Sequence, residues 1–129
     1  MLKQGYTLAE VLVVIVIIGV LASLSIPRLT VAIERTRAAE GIHILEALLQ
    51  AQKMYYADHG KYSNSYTDLD VEIPPSKNFS DISSESVSEH NPLVTVTRND
   101  GSYSLTIDEN GTIGCLNNTA DDICTKIGH

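Results

Sequence analysis

The chain is poor in cysteine and in positive charge. Two cysteines are too few for a disulfide-dense scaffold or a four-ligand zinc site. Nine Lys+Arg stand against 16 Asp+Glu, a formal net charge of −7. That balance argues against general binding to a phosphate backbone, which needs clustered basic residues. Tryptophan is absent, and the 4 histidines are scattered. No Gly-rich phosphate loop and no ordered Ser/His/Asp set is present, so the sequence offers no catalytic site. Repeats and low-complexity linkers are missing too. With 129 residues there is room for one small domain and one appended element, not for a two-domain enzyme. Hydrophobic residues make up 43% and charged residues 19%, which is too apolar for a disordered chain.

The averages hide an asymmetry. Residues 11–22, VLVVIVIIGVLA, carry no charge, and most of the acid lies after residue 33. From Val11 to Ile26 only Gly19, Ser23 and Ser25 interrupt the apolar run, and Tyr6–Glu10 extend it to 21 residues. A helix of about 20 apolar residues crosses a ~30 Å hydrocarbon core. The rival reading is a secretory signal peptide, with Lys3 as its basic start and a cut before Ile26. Against it stand the length of the run, an acidic residue at its front and a helical pattern that resumes beyond Pro27. Glu10 is an ionisable residue at the edge of a membrane segment. Such a residue is a functional candidate that wants a cationic partner, unless it merely reaches the headgroups.

Gly5-Tyr6-Thr7-Leu8-Ala9-Glu10, followed by the apolar run and Pro27, resembles the N-terminus of a type IV pilin or a type II secretion pseudopilin. The family pattern is a short basic leader ending in Gly, an aromatic residue, Thr-Leu, a spaced Glu, about 20 apolar residues and a spaced Pro. The match is close over residues 1–30. Tyr6 stands where Phe is commoner, and Lys3 is the only leader charge. The resemblance implies a leader over residues 1–5, cleavage by a prepilin peptidase between Gly5 and Tyr6, and methylation of the new Tyr6 amine. It implies a transmembrane and filament-core segment over 6–27 and a periplasmic or extracellular head over 28–129. Glu10 would act in assembly by pairing with the amine of a neighbouring subunit. Gly19 and Pro27 would soften the helix, since proline removes a backbone hydrogen bond and kinks or locally melts a helix. The basic residues on the two flanks point the other way. Lys3 precedes the segment, while Arg28, Arg35 and Arg37 follow it, a count that by itself favours an outside N-terminus. The family places that terminus in the cytoplasm, with the rest of the chain outside the inner membrane.

Beyond Pro27 the 3.6-residue pattern returns. Gly41, Ile42, Ile44, Leu45, Leu48, Leu49, Ala51, Tyr55 and Tyr56 fall within one half of the helical wheel. His43, Glu46, Gln50 and Lys53 fall on the other half. Residues 28–57 therefore read as an amphipathic helix that stops near Gly60. Residues 61–92 read as a loop, with room for a short strand within 79–88. Leu93–Arg98, Ser102–Ile107 and Thr112–Cys115 read as strands, separated by Asn99-Asp100-Gly101 and Asp108-Glu109-Asn110-Gly111. Asp-Gly and Asn-Gly turns between alternating runs are strong hairpin signals. The expected fold is α+β: a long N-terminal helix packed on a small antiparallel sheet over 93–115, type IV pilin-like.

Cys115 and Cys124 enclose eight residues near the C-terminus. In an extracytoplasmic head a disulfide is the natural reading, and in a reducing compartment two free thiols. Pilins of the resembled family often bridge such a segment and major pseudopilins usually lack the bridge, so the pair tilts the reading towards a pilus subunit. Glu40-Gly41-Ile42-His43 has Glu-x-x-His spacing, but a di-iron site needs two such motifs and further Glu. Asp68, Asp70 and Glu72 alternate without the turn glycine of a calcium loop and read first as solvated acid; calcium stays open as the alternative, since the resembled major pseudopilins bind it in their loops. Asn78-Phe79-Ser80, Asn110-Gly111-Thr112 and Asn117-Asn118-Thr119 match the N-glycosylation sequon, which in a bacterial chain reads as chance. No cofactor, no metal, no specific nucleic acid and no enzymatic activity are expected. The expected role is a structural subunit of a type IV pilus serving adhesion, motility or DNA uptake. Its partners would be other copies of itself, a prepilin peptidase, an inner-membrane assembly machinery and, before assembly, inner-membrane lipid. The alternatives are a type II secretion pseudopilin, a competence pilin, or a membrane-tethered or secreted binding module.

Overall fold

The structure is a computed structural model, and it describes residues 5–83, 86–120 and 122–129. Residues 1–4 of the expected leader, with Lys3, lie outside the described residues. The element order is α1 (Leu8–His59), a 3₁₀ turn (Tyr66–Asp68), β1 (Val94–Thr97), β2 (Tyr103–Ile107), β3 (Ile113–Asn117) and α2 (Ile123–Ile127). The chain divides into two units, Met1–Ile33 and Glu34–His129, with α1 contributing to both.

From Leu8 onwards the first unit is the first part of α1. Its apolar part, Leu8–Ile26, has a mean hydropathy of 2.7, and none of it is buried within the chain. Thirteen large apolar side chains between Leu8 and Ile26 are each more than half exposed. Completing their burial is worth about 1 kcal/mol per side chain, so roughly 10–20 kcal/mol rides on what covers this helix. Two polar side chains inside the segment are satisfied locally: Ser23 Oγ donates to the Val20 carbonyl (2.7 Å) and Ser25 Oγ to that of Leu21 (2.9 Å). Pro27 does not end or melt α1, which runs through it to His59. Proline lacks one N–H, and the helix continues past it within the single chain.

The second unit holds the core. Ala38, Leu45, Leu48 and Leu49 recur at helical spacing on α1 and are buried, and Gly41 is buried with them. Val94 and Val96 alternate on β1, and Tyr103, Leu105 and Ile107 on β2. The sheet is a three-stranded antiparallel meander in the order β1-β2-β3, with Val96 opposite Leu105 and Leu105 opposite Cys115. Both turns use glycine in the left-handed region, Gly101 at φ 73° and Gly111 at φ 84°. Gly41 allows a close approach: a Cβ there would stand 2.5 Å from Phe79 Cζ and 2.9 Å from Leu105 Cδ1.

The expected α+β arrangement is present, with differences of detail. α1 starts at Leu8 and ends at His59, not over 6–57. No strand forms within the described part of 79–88. Phe79 and Val87 each make a single bridge, to Arg98 and to Val94, and both side chains are buried. The segment is held by those two plugs rather than by a ladder. β3 extends to Asn117, and the 115–124 loop ends in a short helix that was not anticipated. Asp122 caps α2, accepting from the Thr125 N–H, and Gly128 closes it at φ 93°. Tyr56, expected on the buried stripe, is 47% exposed and leans on Tyr62 at 4.7 Å instead. Gln52 is wholly buried in its place.

Candidate functional site

The N-terminal constellation begins at Gly5. A Cβ at Gly5 would meet nothing within 4 Å among the described residues. No packing contact among them requires glycine at that position. Tyr6 is 88% exposed. Thr7 and Glu10 then close the start of α1 on each other. The Thr7 N–H donates to Glu10 Oε2 (2.8 Å), the Thr7 hydroxyl donates to the same oxygen (3.0 Å), and the Glu10 N–H donates to Thr7 Oγ1 (3.2 Å). This is a capping box, Thr-x-x-Glu, in which two orphan amides of the helix start satisfy one another's side chains. The signal for it in the sequence is Thr7-Leu8-Ala9-Glu10, a Thr and a Glu three residues apart ahead of an apolar run. The Glu10 carboxylate is thus turned onto Thr7 and remains exposed. No salt bridge to it is present among the described residues. Gly19 likewise faces open space: an added Cβ meets nothing within 4 Å.

The second unit carries a disulfide and three polar clusters. Cys115 and Cys124 are bonded, with Cα atoms 5.7 Å apart. The bond ties β3 to α2, and Asn117 reinforces it: its Oδ1 accepts from the Cys124 N–H (3.0 Å) and its Nδ2 donates to Asp122 Oδ1 (2.9 Å).

The largest cluster centres on Arg98, a buried guanidinium. Its Nε donates to Glu34 Oε1 (2.9 Å) and its Nη1 to the Asn78 carbonyl (2.8 Å). The Tyr103 hydroxyl donates to the same Glu34 oxygen (3.1 Å), and Arg37 pairs with Oε2 (3.0 Å). Burial alone would push the Glu34 carboxyl up, but hydrogen bonds from Arg98 and Arg37 outweigh it and hold the group below its ordinary value. Burial raises the Tyr103 phenol, and the Glu34 charge adds to that. These groups join the start of the second unit to β2 and the end of β1.

The second cluster is Glu40, which accepts from Ser76 Oγ and Asn78 Nδ2, both at 2.6 Å. His43, three residues on, is exposed and faces Glu46 at 3.7 Å, so Glu40 and His43 do not converge. In the third, Gln52 Nε2 donates to the Ser63 carbonyl (2.8 Å) and to that of Ser88 (3.3 Å), while its Oε1 accepts from the Ser63 N–H (2.9 Å). Asp68 accepts from the Ser63 hydroxyl (3.0 Å), while Asp70 and Glu72 are exposed. Among the described residues no three His, Cys, Asp or Glu side chains stand where they could hold a metal ion.

This geometry can be set beside known proteins. Residues 1–26 match the family described as the prokaryotic N-terminal methylation motif. A type IV major pilin protein of Neisseria gonorrhoeae is 36% identical over 101 residues, 76% of this chain and 54% of the relative. The type II secretion system core protein G of Aeromonas hydrophila is 40% identical over 69 residues, 54% of this chain and 48% of the relative. A type IV major pilin protein of Myxococcus xanthus is 36% identical over 62 residues, 48% of this chain and 28% of the relative. The chain therefore spans about half the length of the curated relatives it matches first. No solved structure matches it. The resemblance read at residues 5–10 is borne out, since the matched motif contains them and the relatives are pilins and a pseudopilin.

Proposed function

We propose that this chain is a structural subunit of a type IV pilus, processed at Gly5 and assembled from the inner membrane. The observation that carries the reading is the N-terminal constellation. An exposed carboxylate sits at the head of an apolar helix segment, Leu8–Ile26, none of which is buried among the described residues. Such a helix needs two successive environments, lipid and then protein. In lipid the Thr7–Glu10 box satisfies the start of the helix and holds the carboxylate near the bilayer edge, where its charge is tolerated. A prepilin peptidase would cut after Gly5 and methylate the Tyr6 amine. The assembly machinery would then lift the subunit into a filament whose core is built from these helices. In that dry core an unpaired charge is penalised by several kcal/mol, whereas a carboxylate facing the amine of a neighbouring copy is satisfied. Only a subunit at the correct depth makes the pair, so Glu10 sets register. Gly19 and Pro27 are where the segment would extend to fit its neighbours.

The Cys115–Cys124 bond supports the pilus over the secretion pseudopilus, because pilins of the resembled family often bridge this segment and major pseudopilins usually lack the bridge. The likeness to core protein G supports the pseudopilin as the second reading. Loss of surface filaments on deletion favours the first, and loss of protein secretion with filaments intact favours the second.

The test of the mechanism is Glu10→Ala in cells with no other copy of the subunit. The variant is expected to insert, to be processed and to fold its disulfide-bonded part, while filament yield falls sharply. Glu10→Gln should be intermediate, since an amide keeps the cap acceptor but not the charge. Wild-type filament yield from Glu10→Ala would overturn the assembly role.

A further inference from the structure

We propose that Asn110 is a glycan acceptor, a modification that rests on the reading above insofar as the second unit must lie outside the cytoplasm. The three sequons are alike in sequence, and the structure separates them by what each side-chain amide is doing. An acceptor amide has to be exposed and able to leave its own fold to meet the donor sugar.

Asn78 cannot do so. It is half-buried, its Nδ2 donates to Glu40 Oε2 at 2.6 Å, and its carbonyl holds Arg98 Nη1 at 2.8 Å. Freeing its side chain would take a donor from Glu40. Asn117 is exposed, but both ends of its amide are used. Nδ2 donates to Asp122 at 2.9 Å and Oδ1 accepts from the Cys124 N–H at 3.0 Å, beside the disulfide. Its side chain holds β3 to the start of α2.

Asn110 is built differently. It sits on the exposed turn between β2 and β3. That turn is held by Asp108, which accepts the backbone N–H groups of Asn110 (2.9 Å) and Thr112 (2.8 Å) through Oδ1 and that of Gly111 through its carbonyl (3.0 Å). Among the described residues no hydrogen bond joins the Asn110 amide to another element, and its side chain bonds within its own turn, to the Asp108 carboxylate. Turning it outwards leaves every backbone bond of the turn in place. Gly111 at φ 84° keeps the position between acceptor and Thr112 without a side chain. Thr112, which completes the sequon, is exposed as well. Beside Gly111 lies an open cleft of about 510 Å³ lined on the α1 side by the polar His43, Glu46, Gln50 and Lys53 and the apolar Ala47 and Leu49. Its donors and acceptors suit the hydroxyls of a sugar attached one residue away.

The donor is a lipid-linked sugar or oligosaccharide activated as a phosphate ester, delivered by a membrane transferase. Asn110 Nδ2 forms a bond to the anomeric carbon as the bond from that carbon to the phosphate oxygen breaks. The departing phosphate keeps the electron pair, and one amide proton passes to a base. No oxidation or reduction takes place.

The experiment is peptide mapping by mass spectrometry of the full chain isolated from its native host, reading the N-terminal peptide and the three sequon peptides in one run. The peptide containing Asn110 is expected to carry added sugar mass, and those with Asn78 and Asn117 to appear at their chain masses. Asn110→Gln and Thr112→Ala should each abolish the added mass, and Thr112→Ser should retain it, all with the 115–124 disulfide intact. Asn110 at its unmodified mass, or sugar on Asn78 or Asn117 instead, overturns the proposal. The N-terminal peptide keeps the two readings apart. Unmodified Asn110 in a chain that begins at methylated Tyr6 refutes the glycan alone, whereas a chain that begins elsewhere refutes the pilin processing.

Discussion

Removing the Arg98 guanidinium tests how the second unit is held together. Arg98 is 8% exposed and donates to Glu34 and to the Asn78 carbonyl. In Arg98→Ala both acceptors lose a partner, and the Glu34 carboxylate keeps only Tyr103 and Arg37. Breaking a fully buried ion pair destabilises by about 3–5 kcal/mol. Glu34 retains 22% side-chain exposure and a second cation, so solvent screening brings the expectation to about 2–3 kcal/mol. With a urea dependence of about 1.5 kcal/mol per molar, the midpoint should fall by about 1.3–2 M. The assay is urea unfolding of the detergent-solubilised chain, followed by tyrosine signals that report the core around Tyr103. A double-mutant cycle with Glu34→Gln should give a coupling above about 1 kcal/mol. The pH dependence has a definite sign. The folded Glu34 carboxyl lies below its ordinary value, so its contribution is complete above the unfolded pKa and disappears as pH falls through the folded one. Arg98→Ala should therefore lose its effect in acid. An unchanged midpoint, or additive single mutants, would refute the reasoning that this cluster joins α1 to the sheet.

Three further outcomes follow from the packing and the N-terminus. Gly41→Val should destabilise by about 2–4 kcal/mol, measured by the same urea assay, because its branches would overlap Phe79 and Leu105; a loss below about 1 kcal/mol would show that the helix shifts freely. Replacing both Cys115 and Cys124 by serine should cost about 2–3 kcal/mol and speed amide exchange in Ile123–Ile127, with β1 and β2 unchanged. Gly5→Val should leave an uncut precursor and no filaments, since the proposed cut follows Gly5 and no packing contact among the described residues requires glycine there; normal processing of that variant would contradict the proposed cut.

What could be read in advance depended on how local the signal was. The meander was legible because Asn99-Asp100-Gly101 and Asp108–Gly111 are turn sequences between alternating runs, and Gly101 and Gly111 do take positive φ. The buried stripe of α1 was legible from its period, but half a wheel was too generous, so Tyr56 was drawn inside and Gln52 was missed. Gln52 is buried because it replaces backbone partners for Ser63 and Ser88, a need that arises only once the loop is folded over it. α2 is five residues long, too short to show a period, although its Asp122 cap and Gly128 stop were visible. Glu34 and Arg98 lie 64 residues apart, and no local pattern announces such a pair. At the candidate site the reverse held. The family resemblance was legible in residues 5–10, and the Thr7–Glu10 capping box stands in the same stretch as Thr-x-x-Glu.

The central claim is that the chain matures by a cut after Gly5 and serves as a filament subunit. The most direct test is the mass and sequence of the N-terminus of the protein recovered from cell-surface filaments. The account predicts a chain that begins at Tyr6 with one methyl group on its α-amine. A chain that begins at Ile26, as after removal of a signal peptide, or at Met1, as for a plain anchor, would contradict it.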